Sequence, residues 1–203
     1  MVPNVFFELE RYIPLIGSLH EVERAGWRKR GVPSHLCESV LTHSVHAAQA
    51  AWYFTHDVRL TAMLVVHDLA ESDPRVGDIT PHDKVDKEEK CRLETRAMVE
   101  ITSRHLYGGA VMNLWLEYEE GRSRRAKVAK QLDKLDAAVM AFTYEGMGFD
   151  VSEFFPYTRA RLVDVRLIDI FDVLCTRKHD LRDSHELYFG LLNQARVRLQ
   201  TKC

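Results

Sequence analysis

The dipeptide His67-Asp68 stands in the most apolar segment of the chain, the run LTAMLVVHDLAE at positions 60–71. Charged groups in a buried helix are costly unless a partner neutralises them. A divalent cation would satisfy both side chains, because neutral imidazole and carboxylate are good ligands for first-row divalent metals. Glu71 follows one helical turn later. Three possible ligands or proton carriers therefore share one side of the predicted helix.

Two other segments supply further candidates, in the order His, His-Asp, Asp. His43 lies in a second predicted buried helix, and Asp133 lies close to the apolar stripe of a third. With the doublet they would offer two imidazoles and two carboxylates, leaving positions for water or a phosphate oxygen. Such a site can acidify water and neutralise a phosphoryl group. His46 and Asp136, each one turn from a candidate, remain alternative ligands, because spacing alone does not choose between them.

The elements that must position these side chains are predicted to be helices. Periodic apolar residues indicate helices over 41–54, 60–71, 87–106, 112–119 and 124–145, and again from 158 onward. The stretch 163–173 also alternates in part, but its longer period favours a helix, whereas 72–86 carries the Pro, Gly and Asp of a loop. No strand is predicted. The fold class is therefore all-α, with one domain over 1–203.

Composition excludes several function classes. The chain has 203 residues, 46% of them hydrophobic, with 28 Lys plus Arg against 30 Asp plus Glu. A net charge of −2 gives no broad field for nucleic acid or membrane surfaces, so neither is expected as a partner. The segment MVPNVFFELERYIP carries charges where a signal peptide needs an apolar stretch, and no apolar run reaches about 18 residues, so we expect a soluble chain without a targeting segment. The four cysteines are widely spaced and are predicted to be reduced, buried small hydrophobes, which favours a cytoplasmic protein.

Four motifs in order give a specific resemblance: ESVLTHS (38–44), HDLAE (67–71), VGDITPHDKVDKEEK (76–90) and KQLDKLD (130–136). They resemble the 5'-deoxynucleotidase branch of the HD-domain superfamily, small helical phosphohydrolases, over a motif-bearing core of about 5–160. The resemblance implies a single compact helical HD-domain bundle, followed by a C-terminal helical region at 158–203. It also implies a metal held by His43, His67, Asp68 and Asp133. The ion is divalent, and Mn, Co, Mg, Zn and Fe all remain possible.

The resemblance also assigns roles around the Gly-Asp loop. It implies catalytic roles for Glu71 and Asp78, and substrate contacts along the loop from Asp78 through Ile79 and Thr80 to Pro81. In some relatives, residues matching Glu71, Asp78 and the carbonyl of Ile79 hold a second cation instead. Two carboxylates and a carbonyl suit magnesium, and a carboxylate beside activated water can also move a proton.

A basic segment near the N-terminus, ERAGWRKRGVP at 23–33, is similar to the part of the family that places an Arg and a Trp beside the substrate phosphate. Arg24, Trp27 and Arg30 are the candidates. A guanidinium can hold phosphate through two parallel hydrogen bonds, and an indole can stack. The cluster is too short to indicate nucleic-acid binding.

Two departures from the family pattern stand out. The doublet and Gly77-Asp78 are separated by about two residues more than is usual. The connection between His43 and His67 is shorter than is typical, so those helices must be tightly joined. His56-Asp57 lies in this connection and imitates the signature doublet, but its flanks lack the apolar run and the following Ala-Glu.

The resemblance implies a phosphomonoesterase acting on (deoxy)ribonucleoside 5'-monophosphates and working as a homodimer. The amphipathic region Arg182 to Leu199 would serve either as an interface or to close the domain's own core. Alternatives are another HD phosphohydrolase acting on cyclic nucleotides or alarmones, and a di-iron variant for which His82 keeps the option open. A non-catalytic nucleotide-binding protein is the third alternative, favoured by the altered loop at Asp73-Pro74.

Overall fold

The computed structural model describes residues 5–80, 83–103 and 105–183. Within these residues the regular structure is helical, apart from one isolated bridge between Glu23 and Ser39. This confirms the all-α prediction. The helices are α1 (Val5–Glu21), α2 (Ala25–Lys29), α3 (Val40–Thr55), α4 (Val58–Val66), a 3-10 turn (Leu69–Ser72), α5 (Lys87–Thr102), α6 (Gly108–Glu120), α7 (Arg124–Gly146), α8 (Phe154–Arg159) and α9 (Val165–Thr176).

Helix α7 lies at the centre of the described core. It contacts α3, α4, α6, α8 and α9. Ala126, Ala129, Ala138 and Ala141 are fully buried along it, and such small side chains let neighbouring helices approach closely. The helix therefore reaches the site from inside the core, and its rotation decides which of its carboxylates face α3.

The connection between α3 and α4 is as tight as the sequence predicts. His56, with φ of 52°, ends α3, and its backbone N–H donates to the carbonyl of Trp52. Asp57 then caps α4 by accepting hydrogen bonds from the backbone N–H groups of Arg59 and Leu60. His56-Asp57 is thus a helix-connecting turn.

Two helical predictions need correction. The predicted helix over 60–71 ends at Val66, so His67 caps it and Glu71 lies in the following 3-10 turn. Helix α3 was predicted to be a buried helix, but Val45 and Trp52 are 44% and 51% exposed. Part of the apolar surface of α3, at Val45 and Trp52, is therefore exposed in the described chain.

Gly108 begins α6, although the predicted helix there started only at position 112. A Cβ atom at this position would lie 1.7 Å from the carbonyl oxygen of Thr102, whereas one at Gly109 would meet nothing within 4 Å. Glycine at 108 therefore allows α6 to start directly against the end of α5.

The cysteine prediction is partly wrong. Cys91 is exposed, Cys37 and Cys175 are half-buried, and all three are free; Cys203 lies outside the described residues. Most of the amphipathic region 182–199 lies outside them too. Among the described helices, none has the length and apolar character needed to cross a membrane.

Candidate metal centre

Three elements bring the predicted ligands together. His43 lies in the first turns of α3, where Ser39 caps the helix by accepting from the backbone N–H of Thr42. His67 follows the last residue of α4, and Asp133 lies in the middle of α7. Because α3, α4 and α7 pack against one another, the three side chains meet in the interior.

The ligand atoms face one another at short range. Nε2 of His43 lies 3.2 Å from Oδ1 of Asp133 and 3.6 Å from Oδ2 of Asp68. Nε2 of His67 lies 3.1 Å from that same oxygen of Asp68. Both Nε2 atoms are buried without a hydrogen-bond partner among the described residues. Buried polar atoms without partners are costly, so these convergent nitrogens and oxygens fit a bound cation.

The opposite ring nitrogens favour the tautomer that a metal requires. Nδ1 of His67 lies 2.8 Å from the carbonyl oxygen of Leu64, and Nδ1 of His43 lies 2.8 Å from Oδ2 of Asp136. Both oxygens accept, so each Nδ1 donates. In the neutral ring, Nε2 then keeps a lone pair directed at the cluster.

The alternatives left open by spacing are separated by this geometry. Asp136 contacts the far side of the His43 ring, whereas Asp133 lies beside Nε2. His46 is half-exposed, and its Nδ1 lies 3.8 Å from Glu38 Oε2. The arrangement supports His43 and Asp133 as the pair that completes the site with the doublet.

Electrostatics show how strongly the cluster favours positive charge. Burial and the nearby Arg24 lower the pKa of His43, but Asp133 and Asp136 outweigh them and raise it to about 10. Burial raises the pKa of Asp68, yet His67 and Arg24 hold it well below its usual range. A divalent ion would replace the proton that these carboxylates stabilise.

The second oxygen of Asp133 is held from the other side. The hydroxyl of Tyr118 donates to Oδ2 at 2.9 Å, and Nζ of Lys134 lies 2.8 Å from it. A cavity of about 420 Å³ opens here. Its basic lining residues are Lys127, Lys130, Lys134 and Arg161. One face of Asp133 thus looks onto the candidate ion and the other onto a basic cavity.

Arg24 is the predicted phosphate contact that reaches the centre. Its Nη1 lies 3.1 Å from Asp78 Oδ1, 3.6 Å from Asp68 Oδ2 and 3.9 Å from Glu71 Oε2. Burial disfavours its charge, but these carboxylates raise the pKa of its guanidinium. The guanidinium therefore stays charged beside the cluster.

Glu71 has an unusual environment. It is buried, and its Oε2 has no hydrogen-bond partner among the described residues. Burial, followed by the charges of Asp68 and Asp78, raises its pKa well above the ordinary value. A carboxyl group that keeps its proton in this place can donate it.

The longer loop still delivers Asp78 to the centre. Its Oδ2 accepts from the backbone N–H of Ala25 at 2.5 Å, and its Oδ1 faces Arg24. The carbonyl of Ile79 accepts from Nζ of Lys90 at 3.4 Å. Arg24 and Lys90 thus contact the oxygen atoms of Asp78 and Ile79 that were predicted to bind a second cation. Binding of a second cation by these atoms stays a prediction.

The rest of the predicted substrate loop is placed in part. The hydroxyl of Thr80 contacts Lys29 and Asp83, each through a side-chain atom, at 2.6 and 2.7 Å. Pro81 and His82 lie outside the described residues, so their predicted roles are not addressed by the fold.

Two predicted phosphate contacts lie away from the cluster. Trp27 is buried, packs against Tyr144 and Phe154, and donates from Nε1 to Glu38 Oε1 at 2.6 Å. Arg30 is exposed and pairs with Glu153. Of the three candidates in this segment, only Arg24 is brought to the ligands.

Sequence reasoning missed three side chains that support the cluster. These are Tyr118 and Lys134, which hold Asp133, and Lys90, which reaches the loop carbonyl. Lys134 is adjacent to a predicted ligand and could have been found from that position. No local signal marks Tyr118, because its role depends on how α6 packs on α7.

The helices of this protein bring two imidazoles and two carboxylates together in a buried cluster. This arrangement places the protein in the class of metal-binding helical proteins. The family model described as "HD domain" matches residues 16–162, and the chain belongs to that family. This confirms the resemblance stated from the motifs. The curated relatives described next show that the chain is a hydrolase, and the donor set of the cluster fits a divalent metal ion as its cofactor.

Two curated proteins similar to the chain are named 5'-deoxynucleotidase HDDC2. The chain is 39% identical over 151 residues to 5'-deoxynucleotidase HDDC2 of Mus musculus, covering 68% of this chain and 71% of the relative. It is 36% identical over 158 residues to 5'-deoxynucleotidase HDDC2 of Danio rerio, covering 74% and 78%.

Solved structures share the fold. A conserved hypothetical protein from Pyrococcus furiosus matches with a TM-score of 0.63 and 26% identity, covering 79% of this chain and 95% of that one. A predicted metal-dependent phosphohydrolase from Magnetospirillum magnetotacticum matches with a TM-score of 0.63 and 23% identity, covering 88% and 96%. At that identity the second likeness shows the fold alone.

Proposed function

We propose that the chain removes the 5'-phosphate from (deoxy)ribonucleoside 5'-monophosphates, producing a nucleoside and inorganic phosphate. The main support is a pair of buried ring nitrogens, the Nε2 atoms of His43 and His67, which have no hydrogen-bond partner among the described residues. These nitrogens face the carboxylates of Asp68 and Asp133, and the guanidinium of Arg24 lies beside Asp68. The names of the curated relatives support the substrate class.

In this proposal the metal would be held by four side chains: His43, His67, Asp68 and Asp133. A divalent ion bound there would supply positive charge to the phosphoryl group and acidify the attacking water. The protein keeps these ligands in place through their outer contacts. Asp136 and the carbonyl of Leu64 fix the two imidazole rings.

Arg24 holds the substrate phosphate. Its guanidinium already lies among carboxylates of the cluster, and phosphate oxygens would take over part of that pairing. A planar guanidinium suits two phosphate oxygens at once, and its charge also opposes the repulsion between phosphate and the carboxylates. Asp78 orients Arg24 and fixes the start of α2 through the backbone N–H of Ala25.

Glu71 supplies the proton for the leaving group. Water attacks phosphorus in line while the bond between phosphorus and the 5'-oxygen breaks, and that oxygen must gain a proton to leave as a hydroxyl. The buried carboxyl of Glu71, with a raised pKa, lies beside Arg24 and is suited to donate that proton. The proton that the attacking water loses returns to Glu71 at the end of the cycle.

The test is release of inorganic phosphate from a panel of deoxyribonucleoside and ribonucleoside 5'-monophosphates, with cobalt, manganese or magnesium added. We expect turnover with at least one metal and its loss in His67→Ala. Cyclic nucleotides, alarmones and nucleoside 3'-monophosphates are the control substrates. If folded protein hydrolyses none of the 5'-monophosphates with any metal, the proposal is wrong, and preference for a control substrate would assign another HD reaction.

The proposal includes a homodimer in the cytoplasm. Its support is the resemblance of the motifs and, for the described chain, the exposed apolar face of α3 that includes Val45 and Trp52. Light scattering coupled to gel filtration should give twice the 23.5 kDa mass of one chain. A monomer at all concentrations would contradict this part.

A further inference from the structure

A second group of possible metal ligands lies behind the first. Side-chain ligand atoms of Glu38, His46 and Asp136 all lie within 4.8 Å of one another. Glu38 and Asp136 are buried, whereas the side chain of His46 is 40% exposed. None of these three residues belongs to the ligand set of the first cluster.

Helix geometry explains why a second group exists. His46 follows His43 by three residues on α3, and Asp136 follows Asp133 by three residues on α7. Residues three apart share one face of a helix, so two packed helices that bring one His-Asp pair together also bring the next pair together. Glu38 joins them from the segment before α3.

The side chain of Glu38 indicates that a cation binds to this group. One oxygen, Oε1, accepts from Nε1 of Trp27 at 2.6 Å, which fixes the carboxylate in place. The other oxygen, Oε2, is buried with no hydrogen-bond partner among the described residues, and the side chain is 3% exposed. It lies 3.8 Å from Nδ1 of His46, too far for a hydrogen bond but suitable for two ligands of one ion.

The charges around this group call for a cation. Glu38 and Asp136 are two buried carboxylates at close range, and no Lys or Arg side chain of the described residues forms an ion pair with either one. Asp136 accepts from His43 through Oδ2, and no described residue donates a hydrogen bond to its Oδ1, which leaves that oxygen available. Like charges in a buried site are costly unless a proton or an ion separates them.

We infer that Glu38, His46 and Asp136 form a second divalent-metal site, suited to zinc. One imidazole and two carboxylates leave the fourth position of a tetrahedral zinc ion to water. The exposed edge of His46 gives the ion a path from solvent. Since Asp136 also orients His43, an ion here would be linked to the first site. The inference does not depend on which nucleotide the protein hydrolyses.

The experiment counts bound zinc. Metal-free full-length protein is dialysed to equilibrium against zinc, and bound metal is measured by mass spectrometry for wild type, His46→Ala and His35→Ala. His35 is an exposed histidine for which no ion pair is found within the described chain, so it serves as the matched control. We expect His46→Ala to bind one equivalent fewer than wild type and His35→Ala to match wild type.

A second variant protects the test from a folding artefact. Glu38→Gln keeps the shape of the side chain and an oxygen for Trp27, while removing the charge, and should also lose one equivalent. Thermal unfolding of both variants checks that they are folded. If folded His46→Ala and Glu38→Gln bind as much zinc as wild type, no second site exists. A further outcome is that each of the two variants loses one equivalent of zinc while the wild-type protein hydrolyses no nucleotide. That result would support the second metal site and refute the proposed function.

Discussion

Nδ1 of His43 donates to Oδ2 of Asp136 across 2.8 Å, and both side chains are buried. The contact joins α3 to α7 and turns the other ring nitrogen toward Asp133. A carboxylate in this position also increases the basicity of the imidazole, which strengthens its bond to a metal. Asp136, which lies three residues after the predicted ligand Asp133, therefore sets the orientation of the predicted ligand His43.

Asp136→Asn should weaken metal binding at the first site. The amide can still accept a hydrogen bond from His43, but the charge that supports the imidazole is lost, so affinity should fall by about 10–100-fold. The measurement is calorimetric titration of metal-free protein, made in a His46→Ala background so that the second site does not contribute. Asp169→Asn, at an exposed position of α9, is the control. Equal affinity in the two variants would contradict the orienting role.

Glu71→Gln should lower kcat and leave metal content unchanged. The amide has the shape of the acid without a proton to donate, so we expect a loss of about 10²–10⁴-fold. Steady-state phosphate release and metal analysis on one sample give both quantities. Glu89→Gln, whose side chain on α5 is 45% exposed, should behave like wild type. A Glu71→Gln enzyme with normal kcat would remove Glu71 from the reaction.

Arg24→Lys should raise KM for the nucleotide. Lysine keeps the charge that offsets Asp78 and Asp68, but it loses the paired donors that fit phosphate. A charge-assisted hydrogen bond is worth about 1.5–3 kcal/mol, which predicts a rise in KM of at least about tenfold. Arg30→Lys is the matched change in the same segment and should leave KM unaltered. The reverse pattern would place the phosphate near Arg30.

Trp27→Phe should lower stability while leaving catalysis intact. The change keeps a ring against Tyr144 and Phe154 but removes the donor to buried Glu38. An unsatisfied buried acceptor costs about 1–3 kcal/mol, which urea unfolding would measure. Trp52→Phe, at an exposed position, should cost far less. A raised KM at unchanged stability would show that Trp27 contacts the substrate after all.

Gly108→Ala should be much more destabilising than Gly109→Ala. The added Cβ at 108 would meet the backbone oxygen of Thr102 at 1.7 Å, so α6 or the end of α5 must shift. We expect a loss of about 1–3 kcal/mol or more in the free energy of unfolding. Gly109→Ala meets no atom within 4 Å and should be neutral or stabilising, because alanine favours the helix. Similar unfolding midpoints for the two variants would refute this.

The helices were predictable because their signals are local. The caps at Ser39, Asp57 and Ser123, together with apolar periodicity, mark where α3, α4 and α7 begin. The end of α4 at Val66 was missed, since the apolar run continues through Leu69 and Ala70. The helix ends where His67 and Asp68 enter the buried cluster, and periodicity does not report such tertiary contacts.

The site was predictable in its residue types and less so in its orientation. Order and resemblance gave His43 and Asp133, but spacing treats Asp136 as equivalent to Asp133. The rotation of α7 against α3 decides which carboxylate faces Nε2, and that rotation follows from packing across the whole core. Arg24 and Trp27 were equally good candidates in sequence, yet only the packing of α2 sends one to the cluster and the other to the core.

The contact between His43 and Asp136 joins positions 93 residues apart. An ion bound between His43 on α3 and Asp133 on α7 would act as a crosslink, fastening an early segment of the chain to a late one much as a disulfide does. Unlike a disulfide, the ion would be absent from the unfolded chain, and a ligand bound only by the folded state stabilises that state by mass action. Loss of the metal would then loosen the body of the protein as well as stop its chemistry.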